Sequence, residues 1–201
     1  SATGKRNDDE AVISRFYAQV IDRVSGLPGV KSAGVVSRLP LETNGMDQEP
    51  FYPEGDKSYA DKIPPLQLVT TVGGDYFKTM GMQLIAGRSF DAPDRQRWDD
   101  AVISRETAIQ FWQDSTGQRV VGKRFQLLPG GPWRTIIGVV GSVRDTSLSA
   151  PPTMGGYARG GAPSEGDSIA KKFGSSVYRT MALVVKTSGD PLAITSAVQR
   201  V

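Results

Sequence analysis

The chain has 201 residues, of which 38% are hydrophobic, and its 24 Lys and Arg against 21 Asp and Glu give a formal net charge of +3. It contains neither histidine nor cysteine, which excludes Ser-His-Asp catalysis, thiolate nucleophiles, disulfides and the usual zinc ligands. The basic residues are scattered along the chain, a pattern that argues against nucleic-acid binding. One domain or two small lobes fit this length.

The N-terminal region predicts a helix, a tight turn and a strand. Apolar residues recur at helical spacing along one face of the first segment, namely Val12, Phe16, Val20, Ile21 and Val24. The Gly-Leu-Pro-Gly sequence at 26–29 ends this helix, because glycine permits a left-handed cap and proline cannot continue the hydrogen bonding. Residues 30–37 then have the composition of a strand.

The middle of the chain predicts short strands and two short helices. Residues 39–65 contain five prolines, which indicates a loop with one edge strand at 49–52. Further strands are predicted at 66–72, 82–86 and 101–104, with helices around 76–80 and at 105–112, and a hairpin of 122–128 with 133–143. The side chains expected in the core are Tyr76, Phe77, Ala108, Ile109, Phe111 and Trp112.

The last quarter of the chain changes composition. Residues 147–174 are rich in Pro, Gly, Ser and Ala, which predicts a flexible loop. Residues 177–186 predict a final strand. Asp190 followed by Pro191 is the favoured start of a helix, with the aspartate as N-cap and the proline at the first helical position.

Residues 117–124 are close to a phosphate-binding loop, Gly-x-x-x-x-Gly-Lys-Ser/Thr. Arg124 stands where that loop needs a hydroxyl that binds Mg²⁺. A strand follows here, whereas the loop should lead into a helix whose N-terminus faces the phosphates. This segment is therefore predicted to be a turn before a strand, and no cofactor is predicted.

The acidic residues offer two further hypotheses. Asp91, Asp94, Asp99 and Asp100 lack the spacing and the closing Glu of a Ca²⁺ loop, so a solvated, charge-balanced loop is favoured and no metal site is predicted. An enzyme built on this chain would have to use carboxylates such as Glu106 and Asp75. That hypothesis predicts that the two groups converge in a cleft.

One long run carries a family resemblance. Residues 71–90, Thr-Val-Gly-Gly-Asp-Tyr-Phe-Lys-Thr-Met-Gly-Met-Gln-Leu-Ile-Ala-Gly-Arg-Ser-Phe, closely resemble a stretch of the MacB-like periplasmic core domains of FtsX/MacB-type ABC transporter permeases. The blocks that follow at 101–108, 122–125 and 136–144 resemble the same domain in the same order. Segments near both ends, at 27–33, 39–41 and 183–191, extend the resemblance over nearly the whole chain.

The resemblance implies an α+β fold in two lobes. A porter-like α/β lobe of split βαβ type is expected from residues 1–87 and 145–201, with a small β-rich lobe inserted as residues 88–144. The Leu-Pro-Leu segment at 39–41 favours the second of the two such domains that large permeases carry.

The resemblance also implies a function. The domain is expected on the periplasmic face of the cell membrane, joined to the transmembrane helices of the permease and driven by a separate ATP-binding subunit or domain. It is expected to be non-catalytic, to be a monomer when isolated, and to pass helix motion to a substrate or a periplasmic partner protein. Gly73, Gly74 and Gly87 are the candidate hinges. The alternative is a module that captures a ligand or lipoprotein in a pocket between the lobes.

Overall fold

The computed structural model describes residues 2–42, 48–90, 99–141, 154–159 and 180–201, with the backbone alone for residues 2–11. The helices are α1 (Ala2–Ser25), α2 (Tyr76–Thr79), α3 (Arg105–Trp112) and α4 (Thr195–Val198). Short 3₁₀ turns occur at Lys57–Tyr59 and Pro191–Ile194.

Ten strands lie within the described residues. They are β1 (Val30–Val36), β2 (Gln48–Pro50), β3 (Tyr52–Pro53), β4 (Leu66–Gly74), β5 (Leu84–Gly87), β6 (Asp100–Ser104), β7 (Arg124–Gln126), β8 (Arg134–Val140), β9 (Gly155–Arg159) and β10 (Ala182–Thr187). They form one mixed sheet with the order β10-β1-β4-β9-β6-β8-β7-β3, while β2 pairs with β4 and β5 pairs with β8. The parallel pairs are β4 with β9 and β6 with β8.

Both faces of the sheet are covered by apolar side chains, because successive residues of a strand point to opposite faces. On one face, which we call the α3 face, Ile103 and Ile136 pack with Phe51, Phe125 and α3. On the other, the α2 face, Val102 and Val140 pack with three aromatic residues, Tyr76, Phe77 and Tyr157. Helix α1 covers the α3 face at its β1 end, where Ile21 lies against Gly73 and Gly74. The predicted α+β class is confirmed.

Several predicted elements occur where the sequence placed them. Helix α3 has the predicted bounds, β7 and β8 form the predicted antiparallel pair, and Tyr76 and Phe77 are buried. Asp190 caps the last helical segment by accepting a hydrogen bond from the Leu192 N–H at 2.9 Å. That segment begins as a 3₁₀ turn.

Three side chains that the sequence predicts to face the core are exposed instead. Val12 and Phe16 of α1 are 55% and 57% exposed, and Ile109 of α3 is 42% exposed. Helix α1 has 24 residues and is roughly 36 Å long, whereas the seven-residue β1 beneath it spans roughly 23 Å. The first turns of α1 therefore extend past the length of β1. Val12 and Phe16 lie within that length, so their exposure means that no described element covers their side of the helix.

The loop predicted at 147–174 is wrong for Gly155–Arg159, which form β9. Apart from Met154, the rest of that range lies outside the described residues, as do Asp91 and Asp94. The division into a lobe of residues 1–87 and 145–201 and an inserted lobe of residues 88–144 stays a prediction. The strand pairing places β5 beside β8 and β3 beside β7.

An ion pair ties the end of β5 to the start of β6, the two strands that flank β8. Arg88 Nη2 lies 3.1 Å from Asp100 Oδ2, and the Asp100 side chain is fully buried. The Arg88 N–H also donates to the Ile137 carbonyl of β8 at 2.9 Å. A buried carboxylate is costly unless a cation or hydrogen bonds compensate it.

We expect Arg88→Met to lower the free energy of unfolding by about 2–3 kcal/mol, near the low end for such pairs because the Arg88 side chain is 41% exposed. Urea denaturation measures the change. Adding Asp100→Asn should recover part of the loss, since the buried negative charge is then removed. A double variant no more stable than Arg88→Met would contradict this account.

Candidate functional site

Strand β9 joins two groups of strands. The β4 group contains β10, β1, β4 and β2, and the β8 group contains β6, β8, β7, β5 and β3. In the part of the chain that the structure describes, the hydrogen-bonded ladder passes from one group to the other through β9. We call the contact of β9 with β4 on one edge and with β6 on the other the seam.

Two glycines allow β9 to occupy this interior position. A Cβ atom on Gly156 would lie 3.1 Å from Gln67 Nε2, and one on Gly155 would lie 3.5 Å from the hydroxyl oxygen of Tyr157. Gly156 thus leaves room for a buried amide on the α3 face, whereas a Cβ at Gly155 would make an ordinary contact with the tyrosine on the α2 face. The two glycines are a composition typical of a loop, but in β9 they allow close packing within a sheet.

The first residue of β9 is held by two hydroxyl groups of the β6–α3 junction. The Gly155 N–H donates to Ser104 Oγ at 3.0 Å, and Thr107 Oγ1 donates to the Gly155 carbonyl at 3.2 Å. Ser104 is also the N-cap of α3 and accepts from the Thr107 N–H at 3.3 Å. Ser104 and Thr107, both buried, form what we call the hydroxyl clamp.

Gln67 of β4 completes this polar network from the other side of β9. Its side chain is 1% exposed, and its Oε1 lies 3.3 Å from Thr107 Oγ1. The single Thr107 proton is therefore shared between Gln67 Oε1 and the Gly155 carbonyl. Gln67 Nε2 has no hydrogen-bond partner among the described residues, which is an unusual and costly state for a buried donor.

A small cavity lies beside Gln67 on the seam. Its lining comes from both groups of strands and includes Val69, Ala101, Leu127 and Arg134. Its volume admits about one water molecule. Burial lowers the pKa of Arg134, and the charge of Asp99 opposes that shift.

The sequence did not single out Ser104, Thr107 or Gln67. A Ser at an N-cap is a recognisable signal, as is a polar Gln in an otherwise apolar strand. Their convergence on Gly155 depends on a pairing between distant segments, which no local pattern records.

The three candidate hinge glycines all lie in close contacts, which for Gly74 and Gly87 are with the backbone. Gly73 and Gly74 end β4, and Gly87 ends β5. A Cβ on Gly74 would lie 2.9 Å from the Ala33 carbonyl oxygen, and one on Gly87 would lie 2.2 Å from that of Ile137. Gly74 and Gly87 also have φ values of +62° and +69°. Packing thus explains these glycines, and the hinge role stays a prediction.

The two carboxylates of the catalytic hypothesis do not converge. Gly156 of β9 is the cross-strand partner of Val69 of β4 on one edge and of Ile103 of β6 on the other. Asp75 lies six residues beyond Val69, and Glu106 follows Ile103 in the opposite direction, so about 20 Å of strand separates them. Asp75 is exposed and pairs with Lys78 at 3.6 Å.

The segment that resembles a phosphate loop is a turn before β7, as predicted. Gly117 has φ +71°, and a Cβ there would lie 2.9 Å from Val139. Asp114 closes the turn by accepting hydrogen bonds from Thr116 Oγ1 and from the N–H of Arg119. In the described ranges, no cluster of three or more acidic side chains is placed to hold a metal ion.

Structural comparison identifies related folds, whereas comparison with family models and with curated protein sequences gives no match. The periplasmic region of MacB from Actinobacillus actinomycetemcomitans superposes with a TM-score of 0.58 at 13% identity, over 92% of this chain and 71% of that one. This chain has the fold of a MacB-like periplasmic domain.

A second match is the extracellular domain of the noncanonic ABC-type transporter YknZ from Gram-positive bacteria. Its TM-score is 0.54 at 16% identity, over 90% of this chain and 77% of that one. The fold named by the sequence resemblance is thereby confirmed. None of the helices in the described residues has the length and apolar character needed to cross a membrane.

Two substitutions that should change the free energy of unfolding differently test the hydrogen bonds at the seam. We expect Gln67→Met to leave the free energy of unfolding unchanged or higher, because it removes a buried donor without a partner and keeps the side-chain volume. Thr107→Val should lower it by about 1–2 kcal/mol, because the Gly155 carbonyl loses its hydroxyl partner. Urea denaturation of both variants measures this, and equal losses would contradict the assigned hydrogen bonds.

The turn at Asp114 predicts a pH effect. Hydrogen bonds from Thr116 and Arg119 hold the pKa of Asp114 below its ordinary value. The ionised carboxylate therefore stabilises the fold above about pH 4, and this contribution is lost as the pH falls through the lowered pKa. Asp114→Asn should destabilise the chain at pH 7 in thermal melts and by a smaller amount below pH 3. A deficit that is constant with pH would refute the assignment.

Proposed function

We propose that this chain is a non-catalytic, extracytoplasmic domain of an ABC transporter permease. It passes ATP-driven movement of transmembrane helices to a substrate or partner protein outside the membrane. The likeness to the periplasmic region of MacB over 92% of the chain is the observation that carries this proposal. The likeness to an extracellular transporter domain from Gram-positive bacteria supports the same setting.

The architecture suits a mechanical element. A domain that passes on movement must resist deformation between its input and its output, so most of it should move as a rigid body. Here one sheet runs through the described part of the molecule, and apolar clusters cover both of its faces. Movement is then concentrated at a few positions, for which Gly73, Gly74 and Gly87 are the candidates.

The proposed partners follow from this role. ATP hydrolysis takes place in a separate nucleotide-binding subunit or domain, the transmembrane helices of the permease deliver the movement, and a periplasmic protein or the substrate receives it. The separation of Asp75 from Glu106 supports a non-catalytic role, since acid–base catalysis needs both groups within reach of one substrate.

Capture of a ligand between the two groups of strands is the second candidate function. The cavity at the seam has residues of both groups in its lining, but it admits about one water molecule. Dedicated ligand pockets are usually far larger. A thermal-shift screen separates the two functions, because a receptor gains stability with its ligand whereas a mechanical element does not.

A mild substitution tests the hinge in the parent transporter. Gly73→Ala restricts the backbone and brings a Cβ to 3.0 Å from Val35 Cγ2, with no carbonyl in the way, whereas a bulky residue at Gly87 would displace the Ile137 carbonyl. We expect Gly73→Ala to keep the fold and to lower transport-linked ATPase activity several-fold.

Gly189→Ala is the matched control, because a Cβ there meets no atom within 4 Å, and it should leave ATPase activity unchanged. Equal activity of both variants and the parent would contradict the hinge. A parent gene without hydrophobic segments of ~20 residues beside the domain would contradict the proposed setting.

A further inference from the structure

We infer that the sheet opens along the line between β6 and β9, that β9 remains with β4 when it does so, and that the hydroxyl clamp of Ser104 and Thr107 sets how easily this line opens. The inference deepens the proposed function, and its use in transport rests on that function. The opening itself is a property of the isolated chain and is tested there.

The two edges of β9 differ in the length of their ladders. Five residue pairs join β9 to β4, from Leu68 with Gly155 to Val72 with Arg159. The Leu68 N–H also donates to the Met154 carbonyl at 3.1 Å. Three residue pairs join β9 to β6. The β6 edge is therefore the weaker of the two in backbone hydrogen bonding.

Side-chain packing favours the same division. On the α2 face, the Tyr157 ring lies 5.1 Å from Phe77 and 6.4 Å from Tyr76, which both belong to α2. Helix α2 directly follows β4 and packs on β1 and β10. On the α3 face, two pairs of residues meet across the β6–β9 line. Ala158 lies opposite Ala101, and Gly156, which has no side chain, lies opposite Ile103. The alanines and the glycine bury little apolar area across the line on the α3 face, whereas on the α2 face Tyr157 also packs with Val102 of β6.

The hydroxyl clamp compensates for the weak edge. Ser104 ends β6 and Thr107 lies in α3, so both hydroxyl groups reach Gly155 from the β8 group. They bind the N–H and the carbonyl of the same residue. Losing the clamp should therefore loosen one edge of β9 and leave the β4–β9 ladder intact.

Native-state hydrogen exchange of the 201-residue chain tests the inference. In the parent chain we expect amides of residues 101–103 and 156–158 that bond across the β6–β9 line to exchange faster than those of the β1–β10 ladder. Thr107→Val should speed exchange at the β6–β9 line a further tenfold or so, which is the effect of losing about one hydrogen bond. Exchange that is uniform across the sheet in the parent, or equally accelerated everywhere in the variant, would overturn the inference.

Thr79→Val is the matched control. It removes a hydroxyl whose hydrogen bond to Ser32 Oγ is 3.0 Å long, within the β4 group. We expect it to accelerate exchange around α2 and β1 and to leave the β6–β9 line as it is in the parent. Selective acceleration at the β6–β9 line would count against the clamp.

A disulfide provides a second test that does not depend on a destabilised variant. The chain has no cysteine, and Ala101 faces Ala158 directly across the β6–β9 pair, a separation that a disulfide can span. Oxidised Ala101→Cys/Ala158→Cys should slow exchange at this line to the rate of the β1–β10 ladder, and reduction should restore it. No difference between the oxidised and reduced forms would overturn the inference.

The same disulfide separates this inference from the proposed function. In the parent transporter, oxidation of the Ala101→Cys/Ala158→Cys pair should lower the coupling of ATP hydrolysis to transport. Oxidation of a Val36→Cys/Ala182→Cys pair across β1 and β10 should leave that coupling unchanged. Suppose that the exchange data show opening between β6 and β9, but that the oxidised transporter still couples ATP hydrolysis to transport. That result would contradict the transmission of movement across the seam, but it would not contradict the opening of the sheet.

Discussion

The structure depends on a five-residue strand that must be hydrogen-bonded on both edges and packed on both faces. Strand β9 meets this requirement with two glycines, an alanine and two large side chains, Tyr157 and Arg159. The glycines permit close approach of Gln67, and Tyr157 places an aromatic ring among those of α2. Without β9, the described strands would form two separate groups whose edges carry unpaired backbone hydrogen-bonding groups.

A second connection crosses between the groups on the α3 face. The segment of residues 48–53 contributes β2 to the β4 group and β3 to the β8 group, with Phe51 between them. Phe51 is fully buried, and its ring lies 4.1 Å from that of Phe125 and 4.6 Å from that of Phe111. Apolar packing therefore reinforces on one face what β9 achieves through backbone hydrogen bonds. The clamp, the aromatic stack and the mixed ladder together hold the two groups of strands to each other.

Local sequence patterns were sufficient for α3, for the β7–β8 pair and for the turn before β7, because each depends on neighbours in the chain. They failed for β9, where glycines that fit between Gln67 and Tyr157 have the same composition as a flexible loop. They failed also for Val12 and Phe16, since helical spacing identifies an apolar face but does not say whether another element covers it. The hydroxyl clamp could not be predicted, because Ser104 and Thr107 meet Gly155 only after β6 and β9 have paired.

The position of β9 in the chain has a consequence for the order of folding. Pairing with its parallel partner β4 begins at Leu68, and the matching residue of β9 is Gly155, so a long loop must close before this ladder forms. Contacts between such distant segments slow folding. Until the late strand has paired, its neighbours have unpaired edges that can form hydrogen bonds with other chains. During synthesis, β4 and β6 emerge well before β9. We therefore expect insertion of β9 to be a late step of folding and the period before it to be the one in which the nascent chain is most prone to aggregation.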